Sequence, residues 1–139
     1  MAPQRARPAT PLRVAGVECR AARAADRETL RAAERFVRAA LRGKSEARPP
    51  LAPARCAPFT ASCRRQMDRI PLGARVTYAE LARRAGRPRA ARAAGRASAT
   101  NTLPLFIPCH RVVASRGRLG GFSAGLCWKA YLLEAESRA

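Results

Sequence analysis

Prolines and glycines cut this chain into short pieces, and that punctuation limits what it can fold into. There are 11 prolines and 9 glycines in 139 residues. Proline removes a backbone donor and clashes inside a helix, while glycine supplies the positive φ at which helices stop. These residues mark where helices and extended pieces stop, and the elements read between them make an α+β chain. In residues 26–41, Leu30, Ala33, Val37, Ala40 and Leu41 recur at helical spacing. With Asp26 as N-cap and Gly43 as stop, they predict an amphipathic helix. Residues 1–25 mix Arg, Ala and Pro without a period, apart from the run Leu12-Arg13-Val14-Ala15-Gly16-Val17, and read as a disordered arm or weak strand. Pro49, Pro50, Pro53 and Pro58 make residues 44–58 a linker.

The second half is more sharply divided. Phe59, Cys63, Met67 and Ile70 share one face of a helix that Pro71 ends, with Thr60 as its candidate cap. After a turn at Leu72-Gly73, Thr77 and Glu80 have capping-box spacing, and Val76 can staple onto Leu81. That helix runs to Ala85 and stops at Gly86, and Pro88 then places another start near residue 89. Two short helices around a Gly-containing turn form a helix-turn-helix candidate. On the second, about residues 89–99, Arg89, Arg92 and Arg96 fall on one face among the small residues Ala91, Ala93, Gly95 and Ala97. Small side chains let a helix approach a DNA minor groove closely. The plainer alternative is an Ala-rich helix packed on another helix, its arginines solvated. Leu103 to Ile107, bracketed by Pro104 and Pro108, reads as a buried strand or extended segment. Residues 112–114 then read as strand, 115–117 as turn and 120–125 as a loop. A last helix, residues 126–136, turns Leu126, Ala130, Leu132 and Leu133 inward, with Trp128 and Tyr131 as covering residues.

Charge narrows the partner. The chain carries 28 Lys+Arg against 9 Asp+Glu, a formal net charge of +19. An acidic polymer, nucleic acid ahead of membrane, is the natural counterpart, although an Arg- and Ala-rich coding bias would produce part of this excess. The odd number of cysteines (5), without a C-x-x-C pair and with 1 histidine, argues against a metal site and a disulfide framework, so neither metal nor cofactor is expected. A reducing, cytoplasmic compartment and a monomer fit best. No apolar run approaches a membrane span, and no secretory signal is seen.

The chemistry concentrates at Cys109-His110. A free thiol with a pKa near 8.5 is only a few per cent ionised at neutral pH, so a nucleophilic cysteine needs a base. Neighbouring residues of an extended strand point to opposite faces, so Cys109 and His110 cooperate only if the backbone turns there or a water links them. Glu134 and Glu136 are the carboxylates near the end of the chain that could orient the imidazole. A buried structural cysteine beside a hydrogen-bonded histidine is the alternative.

Pro108-Cys109-His110-Arg111-Val112 is preceded by Asn101 and followed by the Gly-rich residues 120–125 and Leu132-Leu133-Glu134-Ala135-Glu136. Upstream stand Ile70-Pro71-Leu72-Gly73, Tyr78-Ala79-Glu80-Leu81-Ala82 and Ala90-Ala91-Arg92-Ala93. In order and spacing this set, over about residues 58–136, closely resembles the O6-alkylguanine-DNA alkyltransferase family. The resemblance implies a winged-helix-like alkyltransferase domain at residues 58–139, preceded at 1–57 by a basic, reduced N-terminal domain. It also implies a DNA repair protein that flips an O6-alkylguanine out of duplex DNA and moves the alkyl group to its own cysteine in one turnover. By similarity Cys109 is the acceptor, His110 the base through a water, Glu136 its orienting group, and Asn101 the brace of the turn. Arg92 fills the gap left by the flipped base and Tyr78 crowds the adjacent phosphate. Pro104, the backbone around Val112, and Ser123 form pocket wall and base-edge contacts. Phe122 stands where the family usually has tyrosine, which predicts slower transfer or a substitute proton donor. Arg64 stands where tryptophan is common. The competing expectations are a lesion-flagging alkyltransferase-like protein, which would lack the acceptor cysteine, and a helix-turn-helix regulator, which would leave Cys109 and His110 without a purpose.

Overall fold

A computed structural model describes residues 24–51 and 55–138, the first three by their backbone alone. The elements follow as α1 (Ala24–Ala40), α2 (Pro58–Asp68), β1 (Val76–Thr77), α3 (Tyr78–Arg84), α4 (Ala91–Ala99), a 3-10 turn at Cys109–Arg111, β2 (Val112–Val113) and α5 (Leu126–Glu136). This is the expected α+β class. Helices α2, α3 and α4 pack on one another around Cys63, Met67, Leu81, Ala82, Ala94 and Ala97, all buried. The core extends through Val76 and Val112 to Cys109. The two strands form a parallel pair, Val76 opposite Val112 and Thr77 opposite Val113. Each is only two residues long, so sequence alternation carries no signal for β1, and Val76-Thr77 reads only as a helix entry.

Several boundaries differ from the sequence reading, for local reasons. Helix α1 starts two residues before Asp26, which therefore lies inside the first turn and is not the cap. Pro58, at the N-terminal end of α2, opens that helix where a missing N–H costs nothing, so Thr60 is not its cap. At α3 the expected cap forms: the Thr77 side chain accepts the Glu80 N–H at 3.2 Å. The Glu80 carboxylate turns instead to Arg83 and Arg84. Helix α4 begins at Ala91, so Arg89 sits in the preceding turn and only Arg92 and Arg96 share the helix. Arg64 donates from Nη2 to the carbonyl of Thr100, the residue that ends α4, at 2.8 Å. Here a guanidinium satisfies a helix C-terminus in the place where the resemblance expects an indole. The segment 103–107 is not a strand but a tight turn closed by a bridge between Pro104 and Ile107, with Leu105 at φ 73°. On α5, Leu126 is 50% exposed whereas Trp128 is 1% exposed, reversing their expected roles. The run 12–17 lies outside the described residues.

The stretch read as a linker is docked at Arg48. Arg48 pairs with Asp68 of α2 and donates to the carbonyl of Phe106 at 2.9 Å, while Phe36 of α1 stacks on Phe106 with ring centroids 5.0 Å apart. Tyr131 of α5 donates its hydroxyl proton to the Leu41 carbonyl at 3.1 Å. Gly43 makes this contact possible: at φ 66°, a Cβ there would lie 2.1 Å from the Ala135 carbonyl oxygen. Gly43→Ala is therefore expected to cost roughly 2–3 kcal/mol, from the left-handed backbone and the overlap together. Urea unfolding measures it, and an unchanged midpoint would show that α1 does not dock through this turn.

Candidate active site

Two elements fix the backbone at Cys109. The parallel strand pair anchors Val112, and the turn at 103–107 delivers Pro108 from the other side. Between them the chain makes the 3-10 turn Cys109–Arg111. The turn resolves the geometric difficulty posed by two adjacent residues, since Cys109 and His110 no longer point to opposite faces of a strand. Both are buried, at 3% and 1% exposure.

Asn101 holds the segment from behind. Its Nδ2 donates to the Ile107 carbonyl at 2.9 Å and to Cys109 Sγ at 3.1 Å, and its Oδ1 accepts the Leu103 N–H at 3.1 Å. One buried amide thus ties the turn to the sulfur. Burial pushes the Cys109 thiol up; the Asn101 hydrogen bond and the charge of Lys129 act against that but do not overcome it. The sulfur is a neutral thiol at rest and depends on a base.

The imidazole of His110 follows Cys109 in the chain. His110 Nε2 lies 2.7 Å from Glu136 Oε1. An ionised carboxylate only accepts, so Nε2 carries the proton and Nδ1 presents a lone pair. Nδ1 is buried without a hydrogen-bond partner among the described residues. Burial holds the imidazole below its ordinary range despite Glu136, so it is neutral near pH 7 and able to accept a proton. Burial alone would raise the Glu136 carboxyl, but hydrogen bonds from His110 and Arg111 outweigh it and bring it down to about 2. Of the two carboxylates open to the sequence reading, Glu136 is the one that meets His110.

Lys129 was not singled out by the sequence. It is fully buried, with Nζ 2.6 Å from the Val112 carbonyl and 3.0 Å from that of Gly121, and 5.8 Å from the centroid of the Tyr78 ring. It staples the Gly-rich loop to β2. Burial pushes it down to about 8. A lysine in an amphipathic helix ordinarily reads as solvated, and the sequence around Lys129 carries no local signal that it is buried. The Tyr78 hydroxyl reaches the Gly121 carbonyl at 3.4 Å, and Gly120 packs so closely that a Cβ there would lie 2.6 Å from that hydroxyl. Phe122 meets His110 edge to face with centroids 6.4 Å apart, and Ser123 is exposed at the loop rim. Pro104 and Val112 are buried beneath the site.

The outward side chains of α4 form a separate face. Arg92 and Arg96 are exposed, as is Arg89 in the turn before them, while Ala94, Ala97 and Ser98 face the core. Ala91, Ala93 and Gly95 are half-buried, and Gly95 faces Tyr78, where a Cβ would stand 3.8 Å from the ring, an ordinary contact. The small-residue edge of α4 thus lies beside Tyr78, whose hydroxyl reaches the Gly-rich loop at Gly121.

The DNA binding domain of 6-O-methylguanine DNA methyltransferase matches residues 58–138. The chain belongs to that family. Among similar members, a methylated-DNA–protein-cysteine methyltransferase of Methanosarcina acetivorans is 40% identical over 78 residues, 56% of this chain and 50% of that protein. The Homo sapiens enzyme of the same name is 48% identical over 67 residues, 48% of this chain and 32% of that protein. The chain thus spans about half the length or less of these relatives. Among solved structures, Mycobacterium tuberculosis OGT in complex with DNA superposes with a TM-score of 0.72 at 32% identity, covering 77% of this chain and 65% of that one. For the methyltransferase family the match is therefore one of fold as well as sequence, and it includes the Cys109 turn and α4. Among the described residues no helix is long and apolar enough to cross a membrane.

Proposed function

We propose that this chain repairs O6-alkylguanine in duplex DNA by transferring the alkyl group to Cys109 in a single turnover. The observation that carries the reading is the buried pair at the 3-10 turn: a neutral thiol held by Asn101, followed in the chain by an imidazole whose Nε2 is locked to Glu136 and whose Nδ1 has no hydrogen-bond partner among the described residues. A water between Sγ and Nδ1 takes the thiol proton and passes one to His110. The sulfur attacks the O6 alkyl carbon, the carbon–oxygen bond breaks with its electrons going to O6, and guanine takes up a proton at N1 from solvent. Phe122 has no hydroxyl to supply that proton, which is why transfer is expected to be slow relative to tyrosine-bearing relatives. The thioether formed has no easy leaving group, so the protein is consumed.

The nucleotide reaches the thiol only outside the base stack. Helix α4 enters the minor groove on its small residues Ala91, Ala93 and Gly95, with Arg89 and Arg96 on phosphates. Arg92 takes the place of the extruded base, and Tyr78 crowds the neighbouring phosphate. Residues 58–139 act as a winged-helix-like catalytic domain.

Incubating the protein with duplex DNA containing O6-methylguanine, then measuring intact mass and mapping peptides, tests this. The expected result is one added methyl on the Cys109 peptide and none in Cys109→Ala. Unmodified protein that still prefers the lesion would replace the transferase with a lesion-flagging role, and absence of lesion preference would point to a regulator.

A further inference from the structure

Glu136 receives more hydrogen bonds than orienting a histidine requires. Oε1 faces His110 Nε2 at 2.7 Å and Arg111 Nη2 at 2.9 Å, while Oε2 faces Arg111 Nε at 2.9 Å and the Gly73 N–H at 3.3 Å. The Arg111 fork is further aimed by Nη1, which donates to the Ile70 carbonyl at 2.6 Å. A side chain 15% exposed therefore spans the end of α2, the catalytic turn and α5, and grips a carboxylate 2% exposed. A carboxylate bound to histidine alone leaves its whole negative charge to the imidazole and favours an imidazolium at rest. An imidazolium cannot take the thiol proton. Sharing the charge with a guanidinium changes that balance.

We propose that Arg111 is a positioning residue that holds both oxygens of Glu136 and withholds part of its charge from His110, adding to burial in keeping the imidazole a neutral base. The inference rests on the alkyl-transfer reading for its use, and on the bidentate geometry for its existence. The other charged and titratable groups facing His110 leave the role to Arg111. Glu136, from α5, is the partner itself, and Lys129, also from α5, acts on His110 by its charge in the same direction as Arg111 but bonds the Val112 and Gly121 carbonyls and not the carboxylate. Cys109 is neutral at rest. Lys44, Glu46, Arg48 and Asp68 line the far side of a cavity of about 320 Å³ that His110, Arg111 and Glu136 also border, and Arg48 is already paired with Asp68. The guanidinium is the cation in direct contact with the carboxylate that His110 uses.

His110 is the one histidine of the chain, so its ring C–H resonance can be titrated by NMR in the whole protein without assignment ambiguity. In Arg111→Met the midpoint is expected to rise by about one pH unit, the size of shift that loss of an adjacent charge produces. In Arg111→Lys, which keeps a charge but not the fork, the rise is expected to be smaller. The acid limb of Cys109 alkylation by iodoacetamide should move to higher pH in the same order. If Arg111→Met unfolds, its histidine titrates at the free value and Arg111→Lys decides. A folded Arg111→Lys or Arg111→Met whose midpoint equals that of the parent protein would overturn the proposal, leaving Arg111 a purely structural tie. Because neither readout uses DNA, a normal shift accompanied by no methyl uptake from O6-methylguanine duplex would refute the repair function and leave the Arg111 assignment intact.

Discussion

His110→Gln is expected to lower the single-turnover rate on O6-methylguanine duplex by about a hundred- to ten-thousand-fold near neutral pH, the range that removal of a general base typically costs. Glutamine can still donate toward Glu136, so the carboxylate keeps a partner, but an amide nitrogen cannot accept the thiol proton. The thiol cannot ionise readily alone, because burial holds it above its ordinary value. The pH dependence follows with a definite sign. In the parent protein the rate falls with acidification only once pH drops through the lowered midpoint of His110, since above it the base is already neutral. In the glutamine variant the rate should instead climb about tenfold per pH unit through neutrality, because only direct ionisation of the thiol remains. Quench-flow or gel-based transfer rates at several pH values measure both slopes. A glutamine variant within about threefold of the parent rate, with the same flat profile, would remove His110 from the base role.

The same linkage makes the site a source of acid lability. Glu136 has its folded pKa depressed to about 2 against an ordinary 4.5, so its stabilising contribution is present above the ordinary value and is lost as pH falls from there toward 2. His110, buried neutral, contributes in the same direction: below its ordinary midpoint of 6.5 the unfolded chain takes up a proton that the folded chain resists. Acid therefore protonates the imidazole and loosens its support together.

What could be read from residues alone divides by range. Local chemistry was legible: Thr77 caps α3, Gly86 stops it at φ 87°, and Gly43 ends α1 at φ 66°. Each depends on contacts within a few positions. The chemical need for a turn at Cys109 and His110 was also legible, because a thiol and an imidazole on opposite faces of a strand do not cooperate. The turn at 103–107 was not, since an apolar run between two prolines fits an extended segment equally well, and Leu105 at φ 73° is imposed by its surroundings. Trp128, Lys129 and Arg111 were missed because their roles depend on distant partners: 17 positions separate Lys129 from Val112 and 41 separate Arg111 from Ile70. Amphipathic periodicity assigns a face, but it does not tell a solvated lysine from one that holds a loop. Arg92 drew notice through its small-residue helix, whereas Arg111, in contact with Glu136, was passed over as one more basic residue among 28 Lys+Arg.

Arg92→Ala is expected to separate DNA opening from chemistry. On the exposed side of α4, Arg92 touches neither the thiol nor the relay, and no hydrogen bond of the fold is assigned to it among the described residues. Its removal should leave stability and the reactivity of Cys109 unchanged, so transfer from free O6-benzylguanine should stay within about twofold of the parent. With duplex DNA, the extruded base leaves a gap that costs a few kcal/mol of lost stacking, and alanine cannot fill it. A few kcal/mol corresponds to on the order of a hundredfold in rate, because each 1.4 kcal/mol is about tenfold. Affinity for undamaged duplex should fall only a fewfold, since Arg89 and Arg96 remain to neutralise phosphates and the loss of one cation lowers the salt slope by about one. Three assays on one variant thus isolate the opening step: duplex transfer, free-base transfer and salt-dependent binding. Equal losses with duplex and free base would place Arg92 in the alkyl-accepting chemistry or in the fold, and equal, unchanged rates with both would mean that α4 holds the DNA while another residue takes the place of the extruded base.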